Sequence, residues 1–168
     1  MNIQFSESIS EEDDTHLFHW RDQVFPIESK GIKWSQPTWH LLAANEGEQP
    51  SAHLGYGFYS IKLDGYQRVT VVGVGDVVVR PEAQGKRIPS LLFDYLHHSE
   101  HATSLTETFA LFCPHRLESY YQQHGYKRFE GCVSFFQNNI ATSTDKFVLM
   151  YRGKPFAGRA IAIECEPW

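Results

Sequence analysis

Cysteine and methionine are scarce in this chain, three and two of its 168 residues. Cys113, Cys132 and Cys165 are odd in number and have none of the short spacings of thiolate metal sites. That excludes a cysteine zinc site and a disulfide framework, and it suits reduced thiols in a cytoplasmic protein. No apolar run is long enough to span a bilayer, so no membrane partner is expected. The start, Met1-Asn2-Ile3-Gln4-Phe5, lacks the basic stretch and apolar core of a signal peptide. Positive charge is also short: 15 Lys and Arg stand against 20 Asp and Glu, a net charge of −5. That argues against nucleic acid as a partner and suits a cationic one. No internal repeat and no low-complexity stretch is present. No Ser-His-Asp or Cys-His constellation is legible that would serve a covalent route.

What is present is a folded globule. Hydrophobic residues make up 42 % of the chain and aromatic residues 14 %, enough for a core in one domain spanning 1–168. Ser10 followed by Glu11, Glu12 and Asp13 predicts a helix start, and the helix is expected to run through Leu17, Phe18, Arg21 and Val24 to Pro26. Residues 27–37 read as a loop carrying Trp34. Trp39 to Ala44 and Ala52 to Leu63 read as strands, the second with a bulge at Gly55 or Gly57. Asp64-Gly65 marks a hairpin into a third strand, Tyr66 to Val79, in which Gly73 and Gly75 suggest a bulge or a close backbone approach. Thr108 to Phe112, Tyr126 to Gln137, Lys146 to Arg152 and Arg159 to Cys165 complete the predicted strands, with 138–145 a loop. A short helix before Gly125 ends there, glycine being the favoured residue just past a helix. His97 and His101 have the i, i+4 spacing of a metal pair. No carboxylate or cysteine motif completes it, so solvent-facing histidines at a helix end are the better reading and no metal is expected.

The stretch Asp76 to Leu96 organises the rest. Its Val-rich strand is apolar on both faces, as a central strand is. Arg80-Pro81 ends the strand, and Gln84-Gly85-Lys86-Arg87 turns the chain. Pro89 suits the first position of a helix whose apolar face is read as Leu91, Leu92, Tyr95 and Leu96. Successive outward N–H groups, a helix N-terminus and two cations make an anion site, simplest for a phosphate or pyrophosphate.

From Val79 to Leu92 the order Val-x-Pro-x-x-Gln-Gly-Lys-x-Ile-x-Ser-x-Leu-Leu resembles the acetyl-CoA pyrophosphate loop of the GCN5-related N-acetyltransferases. In that family the loop reads Gln/Arg-x-x-Gly-x-Gly/Ala. Gln84 matches the first position, while Arg87 and Pro89 stand where the two glycines are expected. A second stretch, Tyr121-Gln-Gln-His-Gly125-Tyr126, is similar to the family's Tyr-x-x-x-Gly-Phe/Tyr signature. The resemblance implies an α/β (α+β) fold: a mixed, mostly antiparallel central sheet flanked by helices, with a splayed strand pair that binds CoA. It implies cofactor contacts from Val77, Val78 and Val79 to pantetheine. It implies contacts from Gln84, Gly85, Lys86, Arg87, Ile88 and Ser90 to pyrophosphate. Acetyl-CoA would be the co-substrate. Tyr121 would meet the leaving thiolate, since a phenol of pKa about 10 can donate to it.

The activity implied is transfer of acetyl to a primary amine by direct attack. Asp76, Glu28, Glu118, Glu164 and Glu166 are the candidates for handling the amine proton, Asp76 taken beside Tyr121 as catalytic, and distance to the thioester rather than sequence decides among them. A weaker similarity to bacterial aminoglycoside 2′-N-acetyltransferases rests on Gly75 to Arg87, on the loop before Phe147 and on the acidic tail ending in Trp168. It implies an acidic cleft for a polycationic amine with the tail, Trp168 included, near the acceptor, while the family resemblance puts the loop of Glu28 and Trp34 over it. A small-molecule amine is the expected partner, a protein amine the second choice. The oligomeric state is left open, a dimer included. Two other classes fit the sequence: a CoA-binding regulatory module without turnover, and an interaction domain anchored by Trp34 and Trp39.

Overall fold

The Asp64-Gly65 turn joins the two longest strands, and both residues take the positive φ that a tight hairpin demands. In the computed structural model, which describes residues 1–19 and 31–168, these strands are β3 (Ala52–Leu63) and β4 (Gln67–Val79). Glu28 and the expected helix beyond residue 19 as far as Val24 lie outside the described residues. On its other side β3 pairs first with β2 (Trp39–Ala44) through Ala52–Tyr56, then with β10 (Ala160–Ile163) through Ile61–Leu63. β1 (Asn2–Ser6) lies antiparallel outside β2. β4 runs parallel to β5 (Phe109–Pro114), and β5 runs antiparallel to β9 (Phe147–Arg152). β6 (Lys127–Arg128) lies beyond β9. β7 (Cys132–Gln137) is parallel to β10 and hairpins into β8 (Ile140–Thr142).

Alternation along the strands gives the sheet two apolar faces. Leu54, Tyr56, Val72, Val74, Phe109, Leu111 and Met150 point to one side. There they meet α2 (Ile88–His98), α3 (Glu100–Thr103) and α4 (Glu118–Gln122) through Ile88, Leu92, Phe93, Leu96, Ala102 and Tyr121. Ile61, Leu63, Val71, Ala110 and Leu149 point to the other side and pack with Phe129, Phe135, Ile161, Ile163 and Trp168. α1 (Glu11–Phe18) covers the far end of that second face, where Leu17 and Phe18 meet Leu42 and Val78. Ser10 caps α1 as expected: its Oγ accepts from the Asp13 N–H at 3.0 Å.

The structure corrects several expectations. The buried stripe of α2 is Ile88, Leu92, Phe93 and Leu96, while Leu91 and Tyr95 are exposed. The predicted strand Tyr126 to Gln137 is two strands toward opposite ends of the sheet, β6 on β9 and β7 between β10 and β8. The crossing point is Gly131, where an added Cβ would lie 2.2 Å from the Arg159 carbonyl oxygen. The predicted loop 138–145 contains β8, reached through Asn138 and Asn139, both at positive φ. The His97 and His101 spacing does not fall on one helix, because Ser99 leaves the helical region and caps α3. His97 Nε2 lies 3.1 Å from the Tyr126 hydroxyl, and His101 Nδ1 lies 2.9 Å from that of Tyr56. Among the described residues no group of three potential metal ligands forms. No described helix is long and apolar enough to cross a membrane.

Candidate active site

The site starts from one extra residue. Gly75 lies opposite Gly55, but Val78 lies opposite His53, so Asp76 and Val77 together oppose Leu54. This β-bulge belongs to β4, although the sequence also suggested one at Gly55 or Gly57. Asp76 takes φ +47°, the left-handed conformation that glycine supplies at the first position of a G1 bulge and that aspartate tolerates better than most residues. The extra residue reverses the parity of the strand. Before it, Val72 and Val74 face the helices; after it, Val77 and Val79 do, and Val78 turns to α1.

β4 and β5 part at the same level. Their parallel pairing covers only Val72–Phe109, Gly73–Ala110 and Val74–Leu111, although β4 continues to Val79 and β5 to Pro114. The Arg80 N–H donates to the Ser51 carbonyl at 2.9 Å, on the β3 side. Backbone groups alternate along a strand, so those of Val77 and Val79 face the opening. The Val79 carbonyl accepts from Gln84 Nε2 at 3.2 Å, which folds the turn back onto the strand end.

A single 3-10 turn, Pro81–Ala83, leads to the anion turn. Gly85 takes φ +77° and Arg87 φ +57°, just before α2. Arg87 therefore holds a left-handed backbone that favours glycine. Pro89 is the second residue of α2, one place beyond the first position expected of it, because Ile88 already begins the helix. The N–H groups of Gly85, Lys86, Arg87 and Ile88 donate to no backbone or side-chain acceptor among the described residues. Lys86 and Arg87 are exposed, whereas Ile88 is fully buried and pins the helix start to the core. Ser90 lies in the first turn, its N–H bonded to the Arg87 carbonyl at 3.1 Å. Donors in the turn at Gly85 and Lys86, and at Arg87 and Ile88 where an eleven-residue helix starts, make an electropositive surface built by backbone rather than by side chains.

Tyr121 approaches from α4. The helix closes at Gly125, φ +81°, with the Tyr126 N–H returning to the Tyr121 carbonyl at 3.2 Å. The ring is buried among Phe93, Tyr120 and Tyr126 on the helix-covered face. Its hydroxyl has no hydrogen-bond partner among the described residues, an unusual state for a buried phenol. Burial, then Cys113 and Tyr120, pushes its pKa up. It stays a neutral donor at physiological pH. The Cys113 thiol is pushed up to about 12, by burial first and then by Glu118. It is no thiolate nucleophile.

The opposite face at the opening is aromatic. Trp168 stacks on Tyr59 with centroids 4.3 Å apart, and its Nε1 donates to the Ala110 carbonyl at 3.0 Å. Gly73 and Gly75 make room for it. A Cβ on Gly73 would lie 2.6 Å from the indole, and one on Gly75 2.9 Å from the Trp168 main-chain carbon. Trp34 edges against Phe112 and Phe147 at 6.3 and 5.2 Å. Ser35 ties this loop to the tail, its N–H bonding the Pro167 carbonyl and its Oγ the Glu166 carbonyl, each at 2.7 Å. Trp168 is thus a buried residue at the splay, not a surface-packed chain end.

Of the candidate acids among the described residues, which leave out Glu28, Asp76 alone sits at the parting of the strands. Glu118 is on the helix of Tyr121, paired with His115 at 2.9 Å and Arg128 at 3.3 Å. Glu164 is held by Lys62 and Arg68 at the hairpin end of β3–β4, and Glu166 by Lys33 at 2.7 Å. Three residues escaped sequence reasoning. The Tyr59 hydroxyl, raised to about 12 by burial, Cys165 and Asp76, lies near the bulge. His53, fully buried, places Nδ1 2.7 Å from the Asp76 carbonyl oxygen, and His40 Nδ1 lies 3.0 Å from His53 Nε2. No local motif marks any of the three, because each gains its place through pairing between distant strands.

No protein-family model matches the chain, and no curated protein sequence does. Solved structures match over most of its length. An acyl-CoA N-acyltransferase from Pseudomonas aeruginosa is 18% identical, with a TM-score of 0.55, over 90% of this chain and 99% of that one. The Escherichia coli protein ElaA gives the same identity, TM-score and coverage. A GNAT family acetyltransferase from Brucella melitensis, solved with acetyl-CoA, is 16% identical, with a TM-score of 0.55, over 96% of this chain and 95% of that one. The curled, mostly antiparallel sheet that parts between β4 and β5, flanked by helices, is therefore the GCN5-related N-acetyltransferase fold.

Proposed function

We propose that the protein transfers an acetyl group from acetyl-CoA to an amine. The observation that carries this reading is the parting of β4 from β5 directly beside a turn whose N–H groups meet no acceptor among the described residues. The residues present suit the co-substrate. Gly85 to Ile88 would hold the pyrophosphate through N–H groups, with Lys86 and Arg87 adding charge-assisted bonds. Val77 and Val79 would pair with the amide groups of pantetheine as a further strand does. Acetyl-CoA supplies an activated thioester.

The chain's own groups then do three things. A backbone N–H of the β4 end polarises the carbonyl. The Tyr121 hydroxyl, which has no partner among the described residues and is kept neutral by burial, donates a hydrogen bond toward the departing sulfur as charge develops there. Asp76, at the opening, takes the proton of the incoming amine. Much of the acceleration comes from holding two reactants together. The acceptor would enter beside Trp34 and Trp168. An acceptor of the polycationic aminoglycoside kind is one candidate class within this reading, and a protein amine is another.

The test is release of free thiol from acetyl-CoA over a panel of amines, with Tyr121→Phe beside the wild type. Loss of this donor lowers turnover by about 10²–10³-fold, with acetyl-CoA affinity retained. Equal loss of binding and turnover, or no loss of either, would remove Tyr121 from the chemistry. Binding without transfer to any amine would favour the regulatory-module reading instead.

A further inference from the structure

The strained bulge has a dedicated holder. Asp76 takes φ +47° without being glycine, a conformation kept only where surrounding structure over-determines it. Its carbonyl oxygen can only accept, so His53 Nδ1 carries the proton in the 2.7 Å bond between them. In the neutral imidazole, His53 Nε2 is then an acceptor. The 3.0 Å contact with His40 Nδ1 must run from His40 to His53. The result is a directed chain, His40 Nδ1–H to His53 Nε2, then His53 Nδ1–H to the Asp76 carbonyl. It fixes both the tautomer and the ring plane of His53. The ring is fully buried, with Phe18 of α1 edge-on at 5.1 Å.

We infer that His53, oriented by His40, is a positioning residue that locks the β4 bulge and so turns the backbone of Val77 and Val79 toward the opening. The inference rests on the proposed function for its consequence in acetyl-CoA binding, but not for its structural content. If the bulge relaxes, the strand regains its simple alternation. Val77 and Val79 then lose their place on the helix side, and the turn at Gln84, tied to Val79, shifts with them.

The groups around the pair are Asp14 of α1 near His40, His40 on β2, His53 on β3 and Asp76 on β4. Burial holds His53 at about 4 despite the Asp76 bond that favours its charged form. Burial lowers His40 as well, against the pull of Asp14. Both rings are neutral at pH 7, and the directed chain above is the form present there.

Two variants separate holding from mere filling. His53→Leu keeps apolar volume but removes the donor. His53→Asn places an amide N–H where Nδ1 stood. The first readout is amide hydrogen exchange, which needs no ligand. Amides of Val78 and Arg80, the two that face β3 at the strand end, should exchange at least about tenfold faster in His53→Leu, the loss expected when a buried acceptor is left unpaired, and near wild-type rates in His53→Asn. Amides of Val71 to Val74 should be unchanged in both. The second is acetyl-CoA affinity by calorimetry at pH 7.5, about tenfold weaker in the leucine variant and restored in the asparagine one. Equal exchange in wild type and His53→Leu, or equal loss in both variants, overturns the role. If wild type binds no acetyl-CoA, the proposed function fails, while the exchange pattern still decides whether His53 holds the bulge.

Discussion

Replacing Arg87 by glycine should stabilise the protein, which is an unusual expectation for removing an arginine. Arg87 holds φ +57°, its side chain is exposed, and Gly85 two residues earlier holds φ +77°. For an L-residue the left-handed region costs about 1–2 kcal/mol. Glycine avoids that cost but frees the unfolded chain, which takes back about 0.4–1 kcal/mol. The net expected for Arg87→Gly is a gain of about 0.5–1 kcal/mol, or a rise in Tm of about 1–4 °C for a domain of this size. Arg87→Ala keeps the backbone cost and should leave stability unchanged. Gly85→Ala, with nothing within 4 Å of the added methyl, should lose about 1 kcal/mol through backbone alone. Urea unfolding followed by circular dichroism reads all three, with the denaturant slope held as the check on a common unfolded state. A loss in Arg87→Gly equal to that in Gly85→Ala would refute the reasoning. It would mean that the turn does not hold residue 87 in the glycine conformation.

Two further outcomes follow from packing and from burial. Gly73→Ala drives a Cβ to 2.5–2.6 Å from the Tyr59 and Trp168 rings, so it should cost about 1–3 kcal/mol and change tryptophan fluorescence, whereas an unaltered emission spectrum would mean that Trp168 does not sit on Gly73. His53 has a folded pKa of about 4 against 6.5 in the unfolded chain, so its contribution is fully present above about pH 6.5 and is lost as pH falls toward 4. Unfolding free energy measured in urea should then drop by up to about 1.4 kcal/mol per pH unit in that window, and a flat profile would contradict the burial of a neutral His53.

Local signals carried the sequence reading as far as they reach. The spans of β2 and β3 follow from polar turn clusters on either side, Asn45 to Pro50 and Asp64-Gly65. The strand, turn and helix from Asp76 to Leu96 were legible because each step has its own residue chemistry. Gly125 ended α4 for the same reason. Where elements owe their place to distant partners, the reading failed. Nothing in Tyr126 to Gln137 says that the chain crosses under Arg159 at Gly131 and passes toward the other end of the sheet. Asn138-Asn139 is a hairpin signal that the polar run 138–145 concealed. In the site, Gly73 and Gly75 signalled close approach, but only the fold shows that Tyr59 and Trp168 are what approaches. His53 looks like any strand histidine until β2 brings His40 beside it and the bulge brings Asp76 opposite. The left-handed backbone at Arg87 was hidden because the residue that usually reports it, glycine, is absent.

The account stands on acetyl-CoA being held by the turn from Gln84 to Ser90 beside the parted strands. Titration calorimetry of acetyl-CoA into wild type and Lys86→Ala tests this most directly. The account predicts saturable one-to-one binding by the wild type, weakened about tenfold in the variant by the loss of one charge-assisted phosphate contact. No binding by the wild type, or equal affinity in both proteins, would contradict it.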